Sequence, residues 1–274
     1  QKVGRLFREY LWSGFDRAGF LSVVDRNATA EERERRLQSS IFPAGSPPDA
    51  DPEIRSTGER YIPKYDRNAG RVVGFLLSIL DEYLDREGLR HFVFSEKRNL
   101  ETFEEETGIQ VQSGLFTLYP NNTRALSMKL IYSLGDKIVF DIQKFKAFLT
   151  NAFLQMGIVL QLEGIDKYNF PAAVREGDWD LVLTSYDVPG DYNAGPVFSS
   201  ESIGEQNIMG YRNPEIDEVL TRLDQSTIAV QYAQNLRELN SRIMMDLPAV
   251  LLFSVPNTAA YPKGLFDTDH SMIQ

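Results

Sequence analysis

Apolar and polar positions along the chain divide it into a helical opening, a loop-rich middle and a second half that alternates strands with helices. Leu6, Phe7, Tyr10, Leu11, Phe15, Phe20 and Leu21 recur at near-helical spacing over residues 6–24, broken at Gly14. Residues 29–38 predict a short charged helix, with Thr29 as N-cap and Glu32 three positions later at capping-box spacing. The mixed-sign run Glu31, Glu32, Arg33, Glu34, Arg35, Arg36 is expected on its solvated face. Residues 42–52, FPAGSPPDADP, predict a proline-rich loop. An amphipathic helix is expected over 72–83, where Leu76, Leu77, Leu80 and Tyr83 share a face. Residues 85–112 carry short β-rich runs at 91–94 and 109–111 around an acidic stretch.

From Met128 onward the pattern is α/β. Strands are expected at 128–132, 158–162, 180–184 and 249–255. The helix expected at 141–156 carries Ile142, Phe145, Phe148, Leu149, Ala152 and Phe153 on one face, and Gly157 follows where a helix-ending glycine belongs. Further helices are expected at 170–175 (ending at Gly177), 215–223 and 228–245, with Asn213 as N-cap and Pro214 in the first helical position of the second. Alternation of this kind implies an α/β fold whose mostly parallel central sheet is flanked by helices on both faces. No internal repeat is evident.

The 274 residues, 42% hydrophobic and 25% charged, are enough for one large domain or two small ones. A net charge of −10 leaves no basic surface to neutralise phosphates, which argues against a nucleic-acid partner. The absence of cysteine excludes disulfides, thiolate metal sites and a cysteine nucleophile. No run approaches the ~18 apolar residues of a membrane span. The chain opens on Gln1 with no signal peptide, so a processed protein or an excised piece is expected.

Chemistry is sparse. The two histidines, His91 and His270, stand apart, and no serine sits in a nucleophile elbow. Zinc and phosphate-loop motifs are missing, so no catalytic residue, no metal ligand and no cofactor is assigned. There remains the loop 185–196, SYDVPGDYNAGP, following a buried strand at the end of the sheet where open α/β folds place their ligands. Asp187 and Asp191 offer carboxylates for a cationic group, and Tyr186 and Tyr192 offer apolar faces with a hydroxyl. Glycine, proline, aspartate and asparagine are equally ordinary turn formers, and composition alone does not separate the two readings.

The order of pieces over residues 168–256 adds a resemblance. The run Gly177-Asp178-Trp179-Asp180-Leu181, then Asp191-Tyr192-Asn193, then the Asn-x-x-Gly-Tyr-x-Asn-Pro-Glu-x-Asp pattern of 207–217, then the proline-led strand of 247–253 resembles the C-terminal lobe of the extracellular solute-binding proteins of the peptide, dipeptide and nickel class (family 5). The step Phe15-Asp16-Arg17, the loop 42–52 and the Tyr65-Asp66-Arg67 step, similar to a helix start in that family, extend it upstream. The resemblance implies a periplasmic-binding-protein-like (type II) lobe spanning 1–274, cut from a two-lobed receptor at its hinge, with residues 85–112, which fit the family poorly, as an insertion within it. It implies the substrate-capture component of an ABC importer, working outside the cytoplasmic membrane, periplasmic or lipid-anchored. Expected partners are a peptide-like small solute, the missing N-terminal lobe of the same protein and an ABC permease. It also implies that Asp191 grips the solute's amino group, with Tyr186, Tyr192 and Asn193 beside it and Asp187 as the other anion; Trp179 is expected to pack. A ligand-sensing lobe of a regulatory protein is the alternative.

Overall fold

In the computed structural model the described residues are 2–25, 28–66, 126–134 and 142–254. The expected helix at 72–83 and insertion at 85–112 lie outside them. The opening stretch folds as two helices, α1 (Lys2–Gly14) and α2 (Arg17–Val24), with the Asp16 side chain capping Gly19 N. α3 (Ala30–Arg36) starts on a complete capping box between Thr29 and Glu32 and buries none of its residues, as its charge pattern predicts.

The proline-rich loop holds more structure than expected. α4 (Pro47–Ala50) is capped by Ser46, and α5 (Pro52–Tyr61) by Asp51, each with proline in the first turn. The sequence PEIRSTGERY has too few apolar positions to announce α5, which buries Ile54 and Gly58. Residues 62–66 are not helical, and the helix expected to start at the Tyr65-Asp66-Arg67 step would lie outside the described residues; Asp66 N donates to Ser13 O at 2.8 Å.

β1 (Leu126–Leu134), α6 (Ile142–Gln155) and β2 (Ile158–Asp166) make a parallel crossover unit, with Leu130 opposite Leu162 and Tyr132 opposite Gly164. Gly157, at φ +84°, ends α6 in the left-handed region that glycine adopts without steric cost. α7 (Phe170–Glu176) leads into β3 (Leu181–Leu183), which pairs parallel on the other side of β1, giving the order β2-β1-β3. Beyond it come α8 (Gly195–Phe198), a 3-10 turn (Ser200–Ser202), α9 (Pro214–Asp224) and α10 (Ala229–Asp246). Asn213 caps α9 through Glu215 N with Pro214 in its first turn, as expected.

Three of the four expected strands form this parallel sheet. The fourth does not. Residues 249–254 run alongside the chain at Leu37 instead: Leu37 and Phe253 form an antiparallel bridge, and Ser254 N donates to Arg36 O at 2.9 Å. An apolar run signals burial without naming the partner of its backbone. Here its side chains divide between two cores, Leu252 and Phe253 toward one and Leu251 toward the other.

The first core joins the sheet to α1, α2 and α6, through Tyr10, Phe20, Tyr132, Phe145, Leu149 and Ile158. The second is helical, uniting α5, α8, α9 and α10 around Phe42, Phe198, Ile216, Val219, Leu239 and Ile243. α1 serves both, since Tyr10 enters the first and its near neighbour Trp12 the second. Gly58 sets how closely α5 approaches the core: a Cβ there would lie 1.9 Å from the Ser39 carbonyl oxygen. Backbone cannot yield as a side-chain tip can, so Gly58→Ala is expected to destabilise the fold by about 1–3 kcal/mol in urea unfolding. A variant as stable as the parent would show that α5 is not held at that distance.

Candidate ligand-binding site

The chain leaves β3 at its C-terminal end and runs through residues 184–194 before α8. Of the five residues expected to matter here, three are drawn into the loop's own structure. Tyr186 turns inward: its hydroxyl donates to Ile41 O at 2.9 Å and its ring meets Phe198 edge-on at 6.4 Å. Burial pushes its phenol up to about 12. Tyr192 is half-buried at φ +63°, where its N donates to Pro189 O at 2.8 Å and closes a turn. Its ring stands edge-on to Phe42 at 6.5 Å. Asn193 is spent on the loop itself, accepting from Gly195 N at 2.8 Å and donating to Asp224 Oδ1 at 2.7 Å.

The two acids face outward. Asp191 is exposed; one of its carboxylate oxygens accepts from Asn193 N at 3.0 Å, and its carbonyl accepts from the Tyr232 hydroxyl at 2.7 Å. Asp187 is exposed just past β3, and no lysine or arginine of the described residues pairs with it or with Asp191.

Asp224 and Tyr232 complete the surroundings of the loop. Burial raises the Tyr232 phenol, and the charges of Asp191 and Asp224 add to that. Neither residue is foreseeable from the sequence, because they come from α9 and α10 and nothing local ties them to residue 191. Together the acids make an exposed anionic rim at the C-terminal end of the sheet. Among the described residues, no group of three or more His, Cys, Asp or Glu is placed to hold a metal ion.

The residues that carry the motifs are structural clasps. Buried Asn207 donates to Ser199 O at 2.9 Å and Tyr211 O at 2.8 Å, and accepts from Tyr211 N at 3.1 Å. The Tyr211 hydroxyl and Asn213 Nδ2 both donate to Asp246 Oδ2, at 2.5 and 2.7 Å, and Asp217 accepts from Ser200 N at 2.8 Å. In the Gly-Asp-Trp-Asp corner, Asp178 and Glu163 flank the Lys129 ammonium at 2.9 and 2.8 Å, while Asp180 accepts from Lys129 N at 2.8 Å. Trp179 is half-buried, its indole donating to Val174 O at 3.0 Å. A groove of about 740 Å³ lies elsewhere, lined by Asp25, Glu34, Arg36, Leu37, Gly45 and Arg55 among others, and none of residues 185–193 touches it.

Because the folded value of the Tyr186 phenol is raised, the stability its neutral form contributes is complete below the ordinary value of 10.0 and lost as pH climbs through about 12. Tyr186→Phe is therefore expected to flatten the fall in urea midpoint across that window. An unchanged slope would put the hydroxyl in water rather than on Ile41.

No protein-family model matches the chain, and no curated protein matches it in sequence. Solved structures do. The oligopeptide-binding protein AppA of Bacillus subtilis, solved with a nonapeptide, aligns with a TM-score of 0.57 at 15% identity over 91% of this chain and 41% of its own. The dipeptide-binding protein of Pseudoalteromonas sp. SM9913, solved with Met-Leu, gives 0.58 at 15% identity over 89% and 38%. NikA of Staphylococcus aureus, solved with Ni(L-His)2, gives 0.57 at 14% identity over 90% and 41%. The chain thus spans about two-fifths of the length of the structures it matches, and over that span it has the periplasmic-binding-protein-like fold.

Proposed function

We propose that the chain is one lobe of a solute-binding receptor, the substrate-capture component of an ABC importer for a peptide-like solute outside the cytoplasmic membrane. The observation that carries this reading is a pair of exposed carboxylates, Asp187 and Asp191, that no cation of the described residues neutralises. They stand on the loop after a parallel strand's C-terminal end, in a fold shared with peptide- and nickel-binding proteins. A cationic group of the solute, such as a peptide's ammonium, is the complement such a rim attracts. Asp191 is the primary anchor, because Tyr232 and Asn193 hold its backbone and one oxygen in place while the residue stays exposed. Asp187 is the second anion. Tyr192 and Tyr186 shape the loop from beneath through Phe42 and Ile41, and Asn193 fixes its turn. The companion lobe and an ABC permease are the proposed partners, and binding rather than catalysis is the proposed activity.

In the intact receptor, Asp191→Ala is expected to weaken solute binding by about 2–5 kcal/mol, roughly 30-fold or more, in titration calorimetry. A change under about threefold with binding abolished in Asp187→Ala would move the anchor to Asp187. Indifference to both substitutions would overturn the anchoring role.

A further inference from the structure

The groove of about 740 Å³ stands apart from the candidate loop, and its walls come from the end of α3, the segment that follows it, α4 and α5. Its volume is that of cavities that take small molecules. Most of its charged groups are already spent. Arg36 pairs with Asp25 at 2.6 Å and donates through Nε to Ser254 O. Asp49 is buried and accepts from Ser40 Oγ at 3.0 Å and from Gly45 N at 2.9 Å. Glu32 closes the capping box on Thr29, and Arg35, largely exposed, pairs with Glu31 at 3.6 Å. Three lining residues keep free groups. Arg55 is fixed through Nε, which donates to Asp49 O at 2.8 Å, while its two terminal nitrogens have no acceptor among the described residues. Half-buried Ser39 has no partner among the described residues for its backbone N–H or its hydroxyl. It lies against α5 close to Arg55: Gly58 follows Arg55 by one turn, and a Cβ there would stand 3.3 Å from Ser39 Cβ. The exposed Glu34 carboxylate has no hydrogen bond or ion pair among the described residues.

We infer that this groove binds a small zwitterion, its carboxylate on the terminal nitrogens of Arg55 and the donors of Ser39 and its ammonium toward Glu34. Asp49 O holds the guanidinium in place, so an arriving carboxylate meets a donor that needs little further ordering. Ser39 adds two donors that find no acceptor inside the fold. A plain anion is a poorer match. The chain carries a net charge of −10, and Asp25, Glu32, Glu34 and Asp49 line the same groove, so repulsion opposes a guest without a positive end. A plain cation leaves Arg55 and Ser39 unused. The groove and the candidate loop share no residue, and the inference does not depend on the solute reading above.

The test follows the Ser39 amide signal in nitrogen-15 spectra of the 274-residue chain at constant ionic strength. Three probes are titrated: glycylglycine, N-acetylglycine, which keeps only the carboxylate, and glycinamide, which keeps only the ammonium. The signal is expected to shift and saturate with glycylglycine, at an affinity about tenfold or more above that of either half. Glu34→Gln, a change at an exposed side chain, is expected to bring glycylglycine down to the level of N-acetylglycine, and Arg55→Gln to remove saturation. If Arg55→Gln does not fold, Glu34→Gln and the parent titrations still decide. Asp191→Ala is expected to leave the titration unchanged, which separates the groove from the candidate loop. No saturable shift with glycylglycine, binding as tight for either half alone, or indifference to Glu34→Gln overturns the inference; so does loss of the shift in Asp191→Ala.

Discussion

The chain between α3 and α4 forms no helix or strand, yet Gln38, Ser40, Ile41 and Phe42 are buried, so their backbone polar groups must find partners inside the fold. The partners come from widely separated elements. Gln38 N donates to Leu252 O, and Gln38 O accepts from Arg17. Ile41 N donates to the buried Asn240 side chain at 3.1 Å, and Ile41 O accepts from Tyr186. Phe42 O accepts from Gln38 Nε2 and Ser40 Oγ, while Ala44 N and Gly45 N donate to Ser254 Oγ and Asp49 Oδ2. Leaving a buried group of this kind without its partner costs about 1–3 kcal/mol, so the segment fixes α2, α10, the candidate loop and residues 251–254 relative to one another.

This constraint explains why the sequence is so uneven a guide. Hydrophobic period and capping chemistry are local, and they locate α3, α6, α9, α10 and the three paired strands. The partner of residues 249–254 is a matter of which backbone lies alongside, and the apolar run is equally consistent with a sheet or with the bridge to Leu37 that forms. α5 is not legible because its place is set by Gly58 against Ser39 and by Arg237 reaching Asp51 at 2.7 Å, contacts that local pattern does not reveal.

The site is legible as a position more than as a set of roles. The loop after β3 and its two acids can be read directly, since residue type and place in an α/β sheet coincide there. The roles of the tyrosines cannot. An aromatic with a hydroxyl serves equally as a binding wall or as a buried donor, and sequence alone does not reveal that the Tyr186 hydroxyl donates to the carbonyl of Ile41. Asn207, Tyr211 and Asn213, the most motif-like residues, spend their polar groups on closing loops onto helices.

The exposure of Asp187 and Asp191 sets what this loop can do. Two opposite charges about 4 Å apart attract by about 1 kcal/mol in bulk water and about 4 kcal/mol at the effective dielectric of a protein surface. An anionic rim open to solvent therefore gathers cations weakly, and discriminates among them less, until something covers it. Covering also removes water from the carboxylate oxygens, which then depend on the bound cation and on the fixed N–H of Asn193 for compensation. Rigid support from beneath is what makes such compensation effective, because a loop free to move would spend the gain on its own ordering. Tyr186 on Ile41, Tyr192 against Phe42 and Tyr232 on the Asp191 carbonyl give the loop support of that kind.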